Sequence, residues 1–126
     1  MTIREAINEV DTLKPNMYGM QEKIKWLSRL DSRIAQDILA THVLSEEEQT
    51  LLPFEGYTED DIEKELLIGE PYDEMYASWL SAQVDWHNME FDNFNVNNAM
   101  FESVFTQFRN AFNRSHMPKG GRKIYF

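Results

Sequence analysis

Apolar residues recur at helical spacing along most of the chain, and the pattern is densest between Pro71 and Pro118. Tyr72, Met75, Tyr76, Trp79 and Leu80 follow one another at three and four residues, and Trp86, Phe91 and Phe94 continue the row. Phe101, Val104, Phe105, Phe108 and Phe112 form a second row after an asparagine-rich run. Side chains at i, i+3, i+4 and i+7 share one helix face. The stretch therefore predicts two long amphipathic helices, or one helix bent at 95–98. Stripes of this period read as core rather than as a cofactor box.

Upstream, Thr2 and Glu5 match a capping box. Ile3, Ala6, Ile7, Val10 and Leu13 then predict a helix that ends near Leu13, with Pro15 stopping it. Residues 16–19 read as a turn. A second helix is expected from Met20 to Thr41, with Met20, Ile24, Leu27, Leu30, Ile34 and Ile38 facing inward. Pro53, Gly56 and Gly69 interrupt residues 43–69, which read as a mostly irregular acidic excursion. Thr58 and Asp61 are placed to cap a short helix there, and residues 65–68 to form a brief extended segment. Pro71 suits the first turn of a third helix. Asn93, Asn95, Asn97 and Asn98 are poor helix formers and good caps, so a fourth helix is expected to start near Asn98. The predicted fold class is all-α: a small bundle of about four helices over residues 1–118, with a long acidic loop at 43–70 and an extended C-terminal arm at 119–126.

Charge adds a polarity along the chain. The net charge is −10, and residues 43–70 hold ten of the 22 acids with Lys64 as their only base. Beyond Asn113 the sign reverses, with Arg114, Lys119, Arg122 and Lys123 and no acid. An acidic middle and a basic end suit head-to-tail contact between copies, or two different partners. The excess of acid opposes nucleic-acid binding. The absence of cysteine excludes disulfides and thiolate metal sites. No apolar run approaches a membrane span, and the first residues lack the layout of a signal peptide.

Few constellations carry chemistry. Gln83, His87 and Glu90 fall near the apolar stripe and read as a buried polar network that fixes helix register, with Arg29, Arg33 or Arg109 as partners of Glu90. Paired Glu-x-x-His motifs of a di-iron bundle are missing, and His42 and His116 read as helix-end or tail histidines. Phosphate-cradling glycine loops, nucleophile elbows and triads are absent. No enzyme, cofactor or metal is expected. In the tail, Gly120 and Gly121 precede Ile124, Tyr125 and Phe126, three good strand formers suited to docking on a neighbour.

Four stretches carry a resemblance: TIREAINEVDTLKPN, KIKWLSRLD, ELLIGEPYDEMYASWLSAQVDWHNMEFDNFN and FNRSHMPKGG. Together the chain resembles a family of small head–tail connector, or adaptor, proteins of tailed phages and prophages of Gram-positive bacteria. The resemblance implies a helical bundle that assembles as a ring under the portal in the virion, after synthesis in the host cytoplasm. Its implied partners are the portal protein, further copies of itself, and the next neck or tail-completion protein. DNA would pass through without sequence-specific binding. By the same likeness Lys119, Gly120, Gly121, Arg122, Lys123, Ile124, Tyr125 and Phe126 form a portal-docking arm. Glu46, Glu47, Glu48, Glu59, Asp60 and Asp61 would line the channel or contact the next ring, where acid repels DNA. The alternative drawn from charge alone is a free acidic binding module or DNA mimic.

Overall fold

Five α-helices and their connections make up the computed structural model, which describes residues 1–119. They are α1 (Ile3–Leu13), α2 (Met20–Ile34), α3 (Glu46–Gln49), α4 (Met75–His87) and α5 (Phe91–Ser115). The protein is all-α: no strand occurs among the described residues, only isolated bridges at Thr2–Glu65 and His42–Pro118.

Local signals set several boundaries as expected. Thr2 and Glu5 cap α1 reciprocally, each side chain meeting the other's backbone N–H at 3.1 and 2.8 Å. α2 starts at Met20 and continues through a π-helical turn, Ala35–Leu39, which carries it close to the expected end. There the Ala40 N–H reaches back five residues to Ala35 O at 2.8 Å.

The long aromatic stretch bends earlier than the sequence suggests. α4 ends at His87, Met89 adopts a left-handed φ of 62°, and the Glu90 N–H donates to Asp85 O at 2.8 Å. α5 then crosses residues 95–98 without a break. Two of the asparagines, Asn93 and Asn97, have side chains that are occupied elsewhere. Asn97 Nδ2 donates to Asp85 Oδ2 at 2.7 Å, and Asn93 Nδ2 to Glu90 Oε1 at 3.2 Å. Pro71 likewise precedes its helix: a 3₁₀ turn, Tyr72–Glu74, intervenes before α4.

Contacts fix the direction of each rod. The Met1 ammonium lies 3.6 Å from Asp73 and Lys14 Nζ lies 2.7 Å from Asp85, so α1 runs alongside α4 in the same sense. Asp31 meets Tyr76 while Trp26 stacks on His87, which makes α2 antiparallel to α4. Tyr72–Phe108 and Trp79–Phe101 contacts make α5 antiparallel to α4 as well. One core joins them: Ile3, Ile7 and Val10 from α1, Leu27, Leu30 and Ile34 from α2, Tyr76, Leu80 and Val84 from α4, and Phe101, Phe108 and Phe112 from α5.

The acidic segment is irregular, as expected, but it is pinned. Arg4 and Ile3 N–H groups donate to Ile62 and Lys64 carbonyls at 2.9 and 3.0 Å, and Leu66 N–H donates to Met1 O at 3.0 Å. The first two bonds satisfy donors at the open end of α1. Leu66 and Ile68 enter the core. Thr58 and Asp61 do form a capping box, around the 3₁₀ turn Glu59–Asp61. Residues 65–68 make a single bridge rather than a strand.

Candidate functional site

Two carboxylates are buried in the bundle, and neither is the one the sequence pattern singled out. Asp31 lies on the inward face of α2, at i+4 from Leu27 and i−3 from Ile34, and is fully buried. It accepts hydrogen bonds from the Tyr57 and Tyr76 hydroxyls, the latter at 2.7 Å, and from the Leu67 N–H at 3.1 Å. Tyr76 Oη in turn accepts from the Ile68 N–H at 3.1 Å. One side chain of α2 thereby ties down the acidic segment and α4 together. Burial pushes the Asp31 carboxyl above its ordinary value, against the opposing effect of the two tyrosines and the Leu67 N–H. Burial and the neighbouring Asp31 charge raise both tyrosines.

Asp85 on α4 is also fully buried. Lys14 lies 2.7 Å from its Oδ1, and Asn97 donates to its Oδ2. The hydrogen bond to Asp85 raises Lys14 above the ordinary lysine value. The pair closes the far end of α1 onto α4 and positions the start of α5.

Gln83, His87 and Glu90 do not form the expected buried network. His87 and Glu90 are exposed, and Gln83 is half-buried. His87 Nδ1 donates to the Gln83 carbonyl of its own helix at 2.8 Å, and its ring stacks on Trp26 at 5.1 Å. Glu90 faces Lys14 at 3.6 Å rather than an arginine. The α4–α5 turn carries Glu90 outward, so the helical projection from Gln83 fails there.

His42 and His116 close the ends of α2 and α5. His42 Nδ1 donates to Ile38 O at 2.7 Å and Nε2 meets Asn113 Oδ1 at 2.8 Å. His116 stacks flat on Phe112 at 3.8 Å and pairs with Glu48 at 2.8 Å. Glu48 also closes a capping box with Ser45, and the backbone N–H of Ser45 is the main cause holding its carboxyl below the ordinary value. The Ser-x-x-Glu pattern at 45–48 signalled this cap, but the sequence reading treated those acids as charge alone.

The other predicted acids are surface residues with separate duties. Glu46 and Glu47 are exposed, Glu59 accepts from Gln21 at 3.2 Å, Asp60 is exposed, and Asp61 caps Thr58. Lys119 N–H donates to Thr41 O at 2.9 Å, so the chain leaves the bundle beside the end of α2. Residues 120–126 of the predicted arm lie outside the described residues.

Two surfaces stand out that periodicity did not reveal. The first is the corner where α4 turns into α5. Trp86 contacts Phe91 and Phe94 at 5.3 and 5.2 Å, yet Trp86, Met89 and Phe91 are exposed. Val96 and Met100 add exposed apolar positions further along α5, and Met17, 99% exposed, lies on the adjoining 14–19 turn. The second is an open groove of about 930 Å³ between α2 and residues 54–59. Lys25, Arg29 and Arg33 line one wall, and Phe54 and Tyr57 the other.

No protein-family model matches the chain, and neither curated proteins nor solved structures give a match. Among the described residues no group of three or more His, Asp or Glu is placed to hold a metal ion, and no helix is long and apolar enough to cross a membrane.

Proposed function

We propose that this chain is a structural assembly subunit: a head–tail connector that forms a ring under a phage portal and lets DNA pass. One observation carries the reading, the exposed apolar corner of Trp86, Met89 and Phe91 with Val96 and Met100 beyond it. A helical body that already buries its own core gains nothing from aromatics at such a corner. Clustered exposed apolar groups of this kind mark sites of association. The buried carboxylates support the same reading, because Asp31 and Asp85 are engaged by donors that hold elements together. The basic ending, which starts beside Thr41, is proposed to reach the portal through residues 119–126. The acids at 46–48 and 59–61 would either line the passage, where they keep a duplex from adhering, or meet the next subunit.

Negative-stain imaging of the purified chain with its portal ring tests this. The reading expects copies bound around the portal, and loss of that binding when residues 120–126 are deleted. Intact portal binding by the deletion removes the arm from the proposal. A salt-sensitive complex with a basic protein, without any ring, would favour the acidic binding module instead.

A further inference from the structure

Lys25, Arg29 and Arg33 follow one another at four-residue intervals on α2, so their side chains stack along one face about 6 Å apart. All three are exposed, and none has an ion-pair partner among the described residues. The cations of Arg4, Lys14, Lys23 and Lys64 each meet a carboxylate, whereas Arg109 and Arg114, like the α2 row, have no ion pair among the described residues. The row borders the open groove, whose far wall carries Phe54, Tyr57, Glu55 and Glu59, with Asp37 at its end. Glu59 is turned toward Gln21.

The molecule also presents the complement. Glu46 and Glu47 are exposed on the single turn of α3 and likewise have no ion-pair partner among the described residues. Their neighbour Glu48 anchors that turn to His116, at the end of α5. The acidic turn is thus held on a different part of the surface from the α2 groove and makes no ion pair with its own cation row.

We propose that the Lys25–Arg29–Arg33 row receives the Glu46–Glu47 turn of a second copy of this chain. The proposal rests on the assembly reading and supplies one of its subunit contacts. Two different, complementary patches on one chain make a heterologous contact, which generates rings when the rotation closes. A nucleic-acid backbone fits the groove less well, because Glu55 and Glu59 on the far wall repel phosphate. The two carboxylates of an acidic turn bring less negative charge past that wall than a continuous phosphate backbone does.

Charge swaps test the contact. K25E/R29E/R33E and E46K/E47K are each made in the full chain, and folding is checked by circular dichroism. Both sites are exposed, and the Glu46 and Glu47 side chains take no part in the Ser45–Glu48 capping bonds, so the folds are expected to persist. Self-association is then measured by native mass spectrometry and sedimentation at low salt. Each variant alone is expected to associate about tenfold more weakly than wild type. An equimolar mixture of the two is expected to associate again, because each row then faces a turn of opposite sign. The fully swapped chain should also regain association.

Wild-type association by both single-sided variants overturns the contact, as does a mixture that fails to recover, or a wild type that stays monomeric throughout. A wild-type-like ring of the variants on the portal would overturn this contact while leaving the assembly reading standing. Failure of wild type to join any ring would remove the assembly reading. Duplex DNA binding that K25E/R29E/R33E abolishes, with association unchanged, would assign the row to phosphate instead.

Discussion

The two halves of α5 are both rich in large apolar side chains, yet they have opposite fates. From Phe101 onward, Phe101, Phe108 and Phe112 are buried against α4, the Tyr72 turn and the end of α2. Before Phe101, Phe91, Val96 and Met100 are exposed, and Phe91 and Phe94 each meet Trp86. The same helix serves as core at one end and as surface at the other. Apolar content therefore measures what a helix can bury, while the face a side chain occupies and the elements beside it decide what it does bury. α4 runs beside the first half of α5 but meets it through Asn97 and Phe101, leaving Val96 and Met100 exposed, whereas Phe108 and Phe112 are covered by the Tyr72 turn and His42.

The largest expected effect lies in the covered half. Phe108→Ala should cost about 3–5 kcal/mol in urea unfolding, since it empties a packed site against Tyr72 and Phe112. Lys14→Met comes next, at about 3 kcal/mol, because it leaves the buried Asp85 charge with only Asn97. That loss is the test of whether the α4–α5 corner is held by its polar pair rather than by its aromatics. If Lys14→Met proves neutral, the aromatics hold the corner.

Two pH effects are smaller and opposite in sign. Glu48 is depressed in the fold, so it binds fewer protons folded than unfolded. Its contribution is present above its unfolded pKa and is lost as pH falls through the folded value. Glu48→Gln should flatten that acid-side loss in a stability profile. Asp31 is raised, so the folded chain holds its proton more tightly, and stability falls as pH climbs through the window between unfolded and folded values. Asp31→Asn should remove that slope whatever its effect on the baseline.

The uncovered half should give the smallest change in stability. Phe91→Ser, Val96→Ser and Met100→Ser combined are expected to stay within about 1 kcal/mol of wild type, since each side chain is already exposed over roughly half its surface. Their effect should appear in association with partners. A large loss of stability would show this face to be part of the folding core.

The sequence made the helices legible because capping and periodicity are local signals. Thr2–Glu5 and the stripe of α2 needed no tertiary information. The site was less legible. Asp31 sits on an apolar stripe where a carboxylate demands partners, but those partners come from Tyr57 and Tyr76, 26 and 45 residues away. Glu90 seemed buried only under a helix that continues through it, and the left-handed Met89 ends that helix first. The asparagines misled for a similar reason. Their capping preference holds for free side chains, and Asn97 is committed to Asp85. Arg29 and Arg33 read from the sequence as partners of a buried Glu90, and nothing local showed that they, with Lys25, would remain without carboxylate partners.

Electron cryomicroscopy of the assembled neck, with the chain identified in the map, tests the account most directly. The account predicts copies arranged around the DNA path, with the Trp86–Phe91 corner covered by a neighbouring subunit. Copies absent from that path, or a corner left open to solvent in the assembled particle, would contradict it.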